Sequence, residues 1–221
     1  MIVQYVGRCK YIPTLCTNKR CVKLTQIEKA IEIIQSKPII RASDLVKENI
    51  RRDCLIVLCK RGLIERTARG IYTNTNWQFT ENYSLAEVSK RIPKGNICLL
   101  SALRFHGLTT QNPSQVWMAI HYKARKPEVD IPYVKIVRFS GTALEYGLEK
   151  HEIEGVEVRI YSPAKTVADC FKYRNKIGFD VALEALRDCW HQKKATMDDF
   201  YYAAKACGMV EVMRPYLEGL I

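Results

Sequence analysis

The sequence predicts an α+β protein in which an N-terminal winged helix-turn-helix precedes a larger mixed α/β C-terminal domain. Three observations predict this fold class. Three short helical patterns and one hairpin pattern follow each other within roughly fifty residues, an order typical of the winged helix. Strand patterns then alternate with helical patterns, as expected for a sheet covered by helices. The excess of positive charge lies in the first third of the chain.

The charge distribution indicates where the parts of the chain begin and end. Residues 1–22 carry four cations and no acid, residues 23–80 carry 11 cations and six acids, and residues 81–221 are nearly balanced, with 20 and 17. A basic surplus attracts polyanions such as nucleic acid. We therefore expect a loose basic tail over 1–22, a DNA-binding winged helix-turn-helix over 23–80 and an α+β domain over 81–221.

The N-terminal helices are recognised by their end signals. Thr25 and Glu28 have the spacing of a capping box and predict the start of the first helix, which Pro38 ends. Ser43 is the expected N-cap of a second, short helix. A third helix is expected over 51–61 and ends at Gly62, because glycine readily adopts the left-handed conformation at helix C-termini.

Alternation and helical spacing predict the rest of the chain. Residues 63–66 and 71–73 flank a Thr-Ala-Arg-Gly turn and indicate a β-hairpin. Residues 77–93 are amphipathic and linker-like, with Leu85 and Val88 as anchors. The other expected elements are a helix over 97–106, strands over 116–120 and 134–139, a hairpin over 153–160, and helices that begin near Ser162, Asp180 and Thr196.

The third helix and the hairpin supply candidate DNA contacts. An apolar stripe of Leu55, Leu58 and Cys59 would face the domain, so Arg52 near the start of the helix would face a guanine in the major groove. Cations on the helix end and on the hairpin would meet phosphates or the minor groove. The candidate DNA-binding residues are Ser43, Arg51, Arg52, Lys60, Arg61, Arg66 and Arg69.

Two groups of sequence motifs resemble the AbiEi family of antitoxins. The runs ASDL at 42–45, RR at 51–52, RGLIER at 61–66 and RGIY at 69–72 are similar to the N-terminal winged helix of that family. The runs PKG at 93–95, CLLSAL at 98–103, FHGLT at 105–109 and YSPAKTVADCFKYRNK at 161–176 are similar to its C-terminal half. The resemblance extends from about Leu24 to the end of the chain.

The resemblance implies the antitoxin of a type IV toxin–antitoxin pair that is linked to abortive phage infection in bacteria. Family members repress their own operon by binding inverted repeats in its promoter through the N-terminal domain. Their C-terminal domain counteracts a nucleotidyltransferase-like toxin without a stable complex. On this basis, the antitoxin surface is expected to comprise Lys165, Tyr173, Arg174 and Lys176.

Two other functions remain as alternatives at this stage. Ile56 and Val57 place apolar side chains on the outward face of the third helix, which would also suit a winged helix that only docks a protein. Glu154, Glu157, Lys165 and Asp169 superficially resemble the residues of a Mg²⁺-dependent nuclease. We nevertheless expect no catalytic activity, because the sequence has no phosphate-binding glycine loop, serine elbow or Cys–His pair.

The sequence also excludes several kinds of cofactor and location. No C-x₂-C pair occurs and the four histidines are dispersed, so we expect neither a zinc site nor another cofactor. Lys165 and Asp169 have the i, i+4 spacing of a helix salt bridge, worth about 0.3 to 0.5 kcal/mol on a surface. No stretch is long and apolar enough to cross a bilayer, and we expect a cytoplasmic protein without a membrane partner.

Overall fold

A computed structural model describes residues 21–78, 80–127 and 133–220, with the backbone alone at 21–25. In chain order, its elements are α1 (Cys21–Ser36), β1 (Ile39–Arg41), α2 (Ala42–Lys47), α3 (Asp53–Lys60), β2 (Ile64–Ala68), β3 (Ile71–Asn74), α4 (Tyr83–Arg91), β4 (Asn96–Ile97), α5 (Leu99–Phe105), β5 (Val116–His121), β6 (Val134–Phe139), α6 (Thr142–Glu145), β7 (Leu148–Ile153), β8 (Val156–Tyr161), α7 (Pro163–Lys172), α8 (Arg174–Ile177), α9 (Phe179–His191), α10 (Met197–Cys207) and α11 (Val210–Glu218).

In the described part of the chain, the strands form two sheets. The first is antiparallel and has the order β1-β3-β2. The second has the order β6-β5-β4-β8-β7 and is mixed, since β5 runs parallel to β6 and β4 runs parallel to β8 while the other pairs are antiparallel. The protein is therefore a mixed α/β fold with two sheets, as predicted at that level.

The start of the chain differs from prediction in its helix boundaries. Helix α1 begins at Cys21, so the predicted start at Thr25 is wrong, and the predicted loose tail lies outside the described residues except for its last two positions. Ser43 is not the N-cap of α2. That position is Arg41, whose backbone N–H donates to the Asp44 carboxylate at 3.0 Å. An ionised carboxylate three residues into a helix is a stronger acceptor than a hydroxyl and also favours the positive helix end.

Helix α3 keeps the predicted inward face with one change. Leu55 and Leu58 are buried as predicted, and Cys54 is buried with them, whereas Cys59 is half-exposed. The helix ends before Gly62, which has the predicted left-handed conformation with φ of +69°. Strand β1 was not predicted, because three residues are too few to show alternation; it pairs with β3 through Ile39 and Thr73.

The segment expected to be linker-like is a packed helix. Leu85 and Val88 of α4 are buried, as predicted for anchors. They belong to one hydrophobic cluster that also holds Ile39 and Ile71 of the first sheet and Ile160 of the second. The two sheets are therefore joined by a shared apolar core and not by a flexible connection.

The carboxylates of Asp44 and Glu154 add polar contacts between the N-terminal part of the chain and the part that holds the five-stranded sheet. Lys90 Nζ lies 2.8 Å from Asp44 Oδ2. Trp77 Nε1 donates to one oxygen of Glu154 at 2.8 Å, and the Thr80 N–H donates to the other at 2.9 Å. Burial raises the pKa of each carboxyl, but the hydrogen bonds that it accepts outweigh burial, so both pKa values lie below their ordinary values. Both groups are charged at neutral pH.

The C-terminal helices cover one face of the five-stranded sheet. Ser162 precedes α7 with Pro163 as its first residue, and Thr196 forms a capping box with Asp199 at the start of α10, as predicted. Helix α9 begins at Phe179, one residue before the predicted Asp180. Among the described residues, no helix is long and apolar enough to span a membrane.

Gly147, which directly precedes β7, lies close against the start of α7. Its φ is +67°, and its carbonyl accepts from the Ser162 N–H at 2.7 Å. A Cβ atom at this position would lie 2.7 Å from Lys165 Cβ and 2.9 Å from Ser162 Oγ. Both the backbone conformation and the space therefore require glycine.

We predict that Gly147→Ala lowers the free energy of unfolding by about 3 kcal/mol or more, from left-handed strain together with overpacking. Gly208→Ala is the matched control, because Gly208 has φ of +69° with nothing within 4 Å of the added Cβ. The control should lose only about 1 to 2 kcal/mol. Urea denaturation measures both losses, and equal losses would contradict the close contact with α7.

Candidate nucleic-acid interface

The predicted DNA-binding residues are all exposed, and three neighbouring elements position them. Ser43 lies in α2, Arg51 and Arg52 lead into α3, Lys60 and Arg61 lie at its end, and Arg66 and Arg69 lie on the β2–β3 hairpin. None of these side chains is buried beneath the larger part of the chain.

Local contacts show how these cations are held. Arg51 pairs with Asp53 at 2.8 Å, but both side chains are more than 60% exposed, so the pair is weak and can open to a phosphate. Burial raises the pKa of Cys59, and the charge of Arg66 works against that rise. Strand β2, which carries Arg66, lies next to α3.

The module formed by β1 to β3, residues 39–74, has a clear positive surplus. It contains eight cations and four acids. One of the acids, Asp44, forms a salt bridge with Lys90 of α4. An excess of exposed cations on a helix and its adjoining hairpin provides the electrostatic attraction on which duplex binding depends.

A basic cleft beside this module was missed by the sequence analysis. Its volume is about 290 Å³, and it lies between α2, α4 and β8. Its charged lining comprises the cations Arg41, Lys47, Lys90 and Arg159 and the carboxylates Asp44 and Glu157, and Ser43 and Ser89 add hydroxyl groups. These residues are scattered over more than a hundred positions, so no local pattern could have grouped them.

The predicted antitoxin surface is wrong in one of its four members. Lys165 is completely buried, as is its partner Asp169. The predicted salt bridge does form, with Nζ 2.6 Å from Asp169 Oδ2, but it lies in the core and not on a surface. The i, i+4 spacing correctly predicts that the pair forms, but it does not predict whether the pair lies on the buried or the exposed face of α7.

Three other elements enclose the Lys165–Asp169 pair. The ammonium group lies 4.4 Å from the ring centroid of Tyr161 in β8 and 4.9 Å from that of Phe139 in β6. The Cys207 thiol of α10 donates to Asp169 Oδ1 at 3.2 Å. The pair therefore connects α7 with both strands and with α10.

Burial determines the protonation of the groups around this pair. Burial raises the pKa of Asp169, although the Lys165 charge works against the rise. Burial also raises the pKa of Cys207 to about 12 and that of Cys98 and Cys170 well above the ordinary value. Protonated, enclosed thiols are poor nucleophiles, so the cluster is suited to a structural role.

The other members of the predicted antitoxin surface lie where α7 meets α8. The Tyr173 ring stacks on Phe139 at 5.6 Å between centroids, and its hydroxyl donates to the Arg138 carbonyl at 3.2 Å. Lys176 is exposed, with Nζ 5.4 Å from the Tyr173 ring centroid. Arg174 is half-buried and donates to the Phe171 carbonyl.

Tyr173 and Lys176 share a groove with cations that sequence reasoning missed. This β6 groove has a volume of about 480 Å³, and its charged and polar lining is Gln115, Lys126, Lys135, Arg138, Tyr173 and Lys176. A signal was present in the sequence, because residues 115–140 contain five cations and two acids.

The four residues of the nuclease hypothesis contact different partners and do not form one site. Glu154 holds Trp77 and Thr80, Glu157 pairs with Lys150 on the surface, and Lys165 and Asp169 are buried together. In the described residues, no group of three or more His, Cys, Asp and Glu side chains is placed to hold a metal ion.

The buried pair makes a specific energetic prediction. Lys165→Met alone should lower the free energy of unfolding by about 3 to 5 kcal/mol, because it leaves a buried carboxyl without its cation. The double variant Lys165→Met/Asp169→Leu should lose less than the sum of the two single variants, since neither charge remains. Denaturant unfolding of the four proteins measures the coupling, and additive losses would contradict a direct interaction.

Comparison with known proteins provides a fold relationship. No protein-family model matches the sequence, and no curated protein sequence matches it significantly. Among solved structures, the chain is similar to the RV2827C protein from Mycobacterium tuberculosis, with a TM-score of 0.56 and 12% identity over 88% of this chain and 81% of that one. At this identity, the similarity shows the fold alone.

Proposed function

We propose that this protein is a DNA-binding antitoxin of the AbiEi type that represses its own operon through residues 23–80 and counteracts a nucleotidyltransferase-like toxin through residues 81–221. The observation that carries the DNA-binding half is the division of α3 into two faces. Leu55 and Leu58 are buried in the module, while Arg52 directly before the helix and Lys60 at its end remain exposed. This is the division that a recognition helix needs.

The element order supports a winged helix in this part. A strand, two short helices and a hairpin follow α1, and the first strand completes an antiparallel sheet with the hairpin. In a winged helix, the second short helix enters the major groove and the hairpin contacts the flanking backbone. Arg66 and Arg69 on the hairpin are exposed for that second contact.

A protein-docking module is the competing function for the same surface, and one observation favours it. Ile56 is 59% exposed in the middle of α3. An apolar side chain there fits a thymine methyl group equally well, because the major groove presents that methyl group to a helix. The positive surplus of the module favours DNA, since a docking surface does not need it.

The antitoxin half of the proposal rests on the motif resemblance and on a distinct C-terminal surface. The run at 161–176 forms the end of β8, α7 and most of α8. Its exposed end, with Tyr173 and Lys176, lies in the β6 groove, at the opposite sheet edge from β7. Repression and toxin neutralisation therefore use separate surfaces.

We predict that Arg52→Ala weakens binding to duplex DNA from the region upstream of the gene by about tenfold, because a bidentate guanine contact is worth about 1 to 3 kcal/mol. Binding to random duplex should change by less than about threefold. Arg187→Ala is the control, since Arg187 is an exposed arginine on α9, far along the chain from the module. Fluorescence anisotropy at several salt concentrations gives all affinities.

Equal binding of the unaltered protein to upstream and random DNA would overturn specific repression. Absence of DNA binding together with retained folding would leave the protein-docking function.

We predict that the full chain carrying Arg52→Ala, Lys60→Ala, Arg66→Ala and Arg69→Ala still rescues growth when co-expressed with the adjacent gene product from an unrelated promoter. The same variant should lose repression of a reporter fused to its own promoter. Point substitutions are preferable to deletion of residues 1–80, because Ile39 and Ile71 complete the cluster around α4. Loss of rescue by the folded variant would contradict the separation of the two activities.

A further inference from the structure

The β6 groove lies along a free edge of the five-stranded sheet. Within the described residues, β6 pairs only with β5, so its other side has no strand partner. Successive side chains of a strand point to opposite faces. Lys135 therefore shares a face of the sheet with Val137 and Phe139, while Arg138 shares the other face with Ile136. Each face of the sheet thus has a cation at this edge.

The groove carries concentrated positive charge. The residues that the structure describes in its lining include four cations, Lys126, Lys135, Arg138 and Lys176, and no carboxylate. Among the described residues, none of the four has a carboxylate oxygen within 4.0 Å. Close by in sequence, Lys123 and Arg125 are also exposed.

Neutral groups hold these cations in place. Lys135 Nζ lies 4.1 Å from the Trp117 ring centroid. The Arg138 guanidinium donates to the carbonyls of Tyr122 and Ala124 at 2.5 and 2.9 Å. Aromatic faces and carbonyls position a cation without cancelling its charge. The lysine ammonium groups thus keep donors for an incoming anion.

Exposed aromatic rings flank the same cations. Tyr122 is 48% exposed directly after β5, and Tyr133 is 63% exposed directly before β6. Tyr173 lines the groove itself. Proteins bind single-stranded nucleic acid through a row of cations along its phosphate backbone and through aromatic side chains on which its bases stack.

We propose that the β6 groove binds single-stranded nucleic acid, with Lys135 and Lys176 on phosphates and Tyr133 stacked on a base. The site is separate from the proposed duplex-binding surface. The β7–β8 turn at Glu154 holds Trp77 and Thr80, and β7 is at the opposite edge of the sheet from β6. We therefore expect the protein to bind a single strand in the groove and a duplex on α3 at the same time.

The experiment isolates the groove within the full chain. The protein carries the four alanine substitutions of the proposed duplex surface, so that a labelled oligonucleotide does not bind there. Fluorescein-labelled 12-nucleotide RNA and DNA of mixed sequence are the probes, and fluorescence anisotropy is followed across a salt series. This background also keeps the result independent of whether residues 23–80 bind an operator.

Adding Lys135→Ala and Lys176→Ala should weaken oligonucleotide binding by about tenfold and make the salt dependence shallower by about 1.4 in log–log slope, the value for two lost phosphate contacts. Tyr133→Ala should weaken binding by about fivefold and have no effect on an abasic oligonucleotide. Arg187→Ala in the same background is the control and should change neither. The relative affinity for RNA and DNA shows which of the two nucleic acids the groove prefers.

Three results would overturn the proposal. The first is unchanged binding in the folded double variant. The second is displacement of the oligonucleotide by polyglutamate at equal charge, which would mark the groove as a docking surface for an acidic protein. The third is an absence of oligonucleotide binding at physiological salt, because lysines on an edge strand can also serve only to prevent pairing with another sheet.

Discussion

The buried ion pair between Lys165 and Asp169 is the interaction on which the larger part of the fold depends. Two charges in the core are tolerated only when each is paired and further satisfied. Here the rings of Tyr161 and Phe139 face the ammonium group, and the Cys207 thiol donates to the carboxylate. The position of α7 is thus specified by these polar contacts as well as by packing, since a shift of the helix would move the ion pair away from the two rings and from the thiol.

That position determines what lies at both ends of α7. At its start, Gly147 leaves the space that Lys165 and Ser162 occupy. At its end, Tyr173 stacks on Phe139, which also faces the buried ammonium group. Tyr173, which lines the β6 groove, therefore rests on the ring that faces the core ion pair, and the surface that we propose for single-stranded nucleic acid is supported by the core.

The two parts of the chain are joined more firmly than their compositions suggest. The basic N-terminal module contributes Ile39 and Ile71 to the core around α4, and the carboxylates of Asp44 and Glu154 fix its periphery. This arrangement leaves the cations of the hairpin and of the ends of α3 exposed, while Ile39 and Ile71 on the other side of the module are covered. A rigid attachment is consistent with the proposed regulator, in which duplex contacts and the C-terminal surfaces act from one framework.

The sequence by itself determined the order of most elements, because caps, glycines and periodicity act locally. It placed Gly62 at a helix end, found Leu85 and Val88 as anchors, and predicted the pairing of Lys165 with Asp169. Only the tertiary structure decided that this pair is buried, because charge spacing on a helix carries no information about what covers the helix. It also assembled the β6 groove from distant segments, since a free sheet edge and its neighbours are products of strand order.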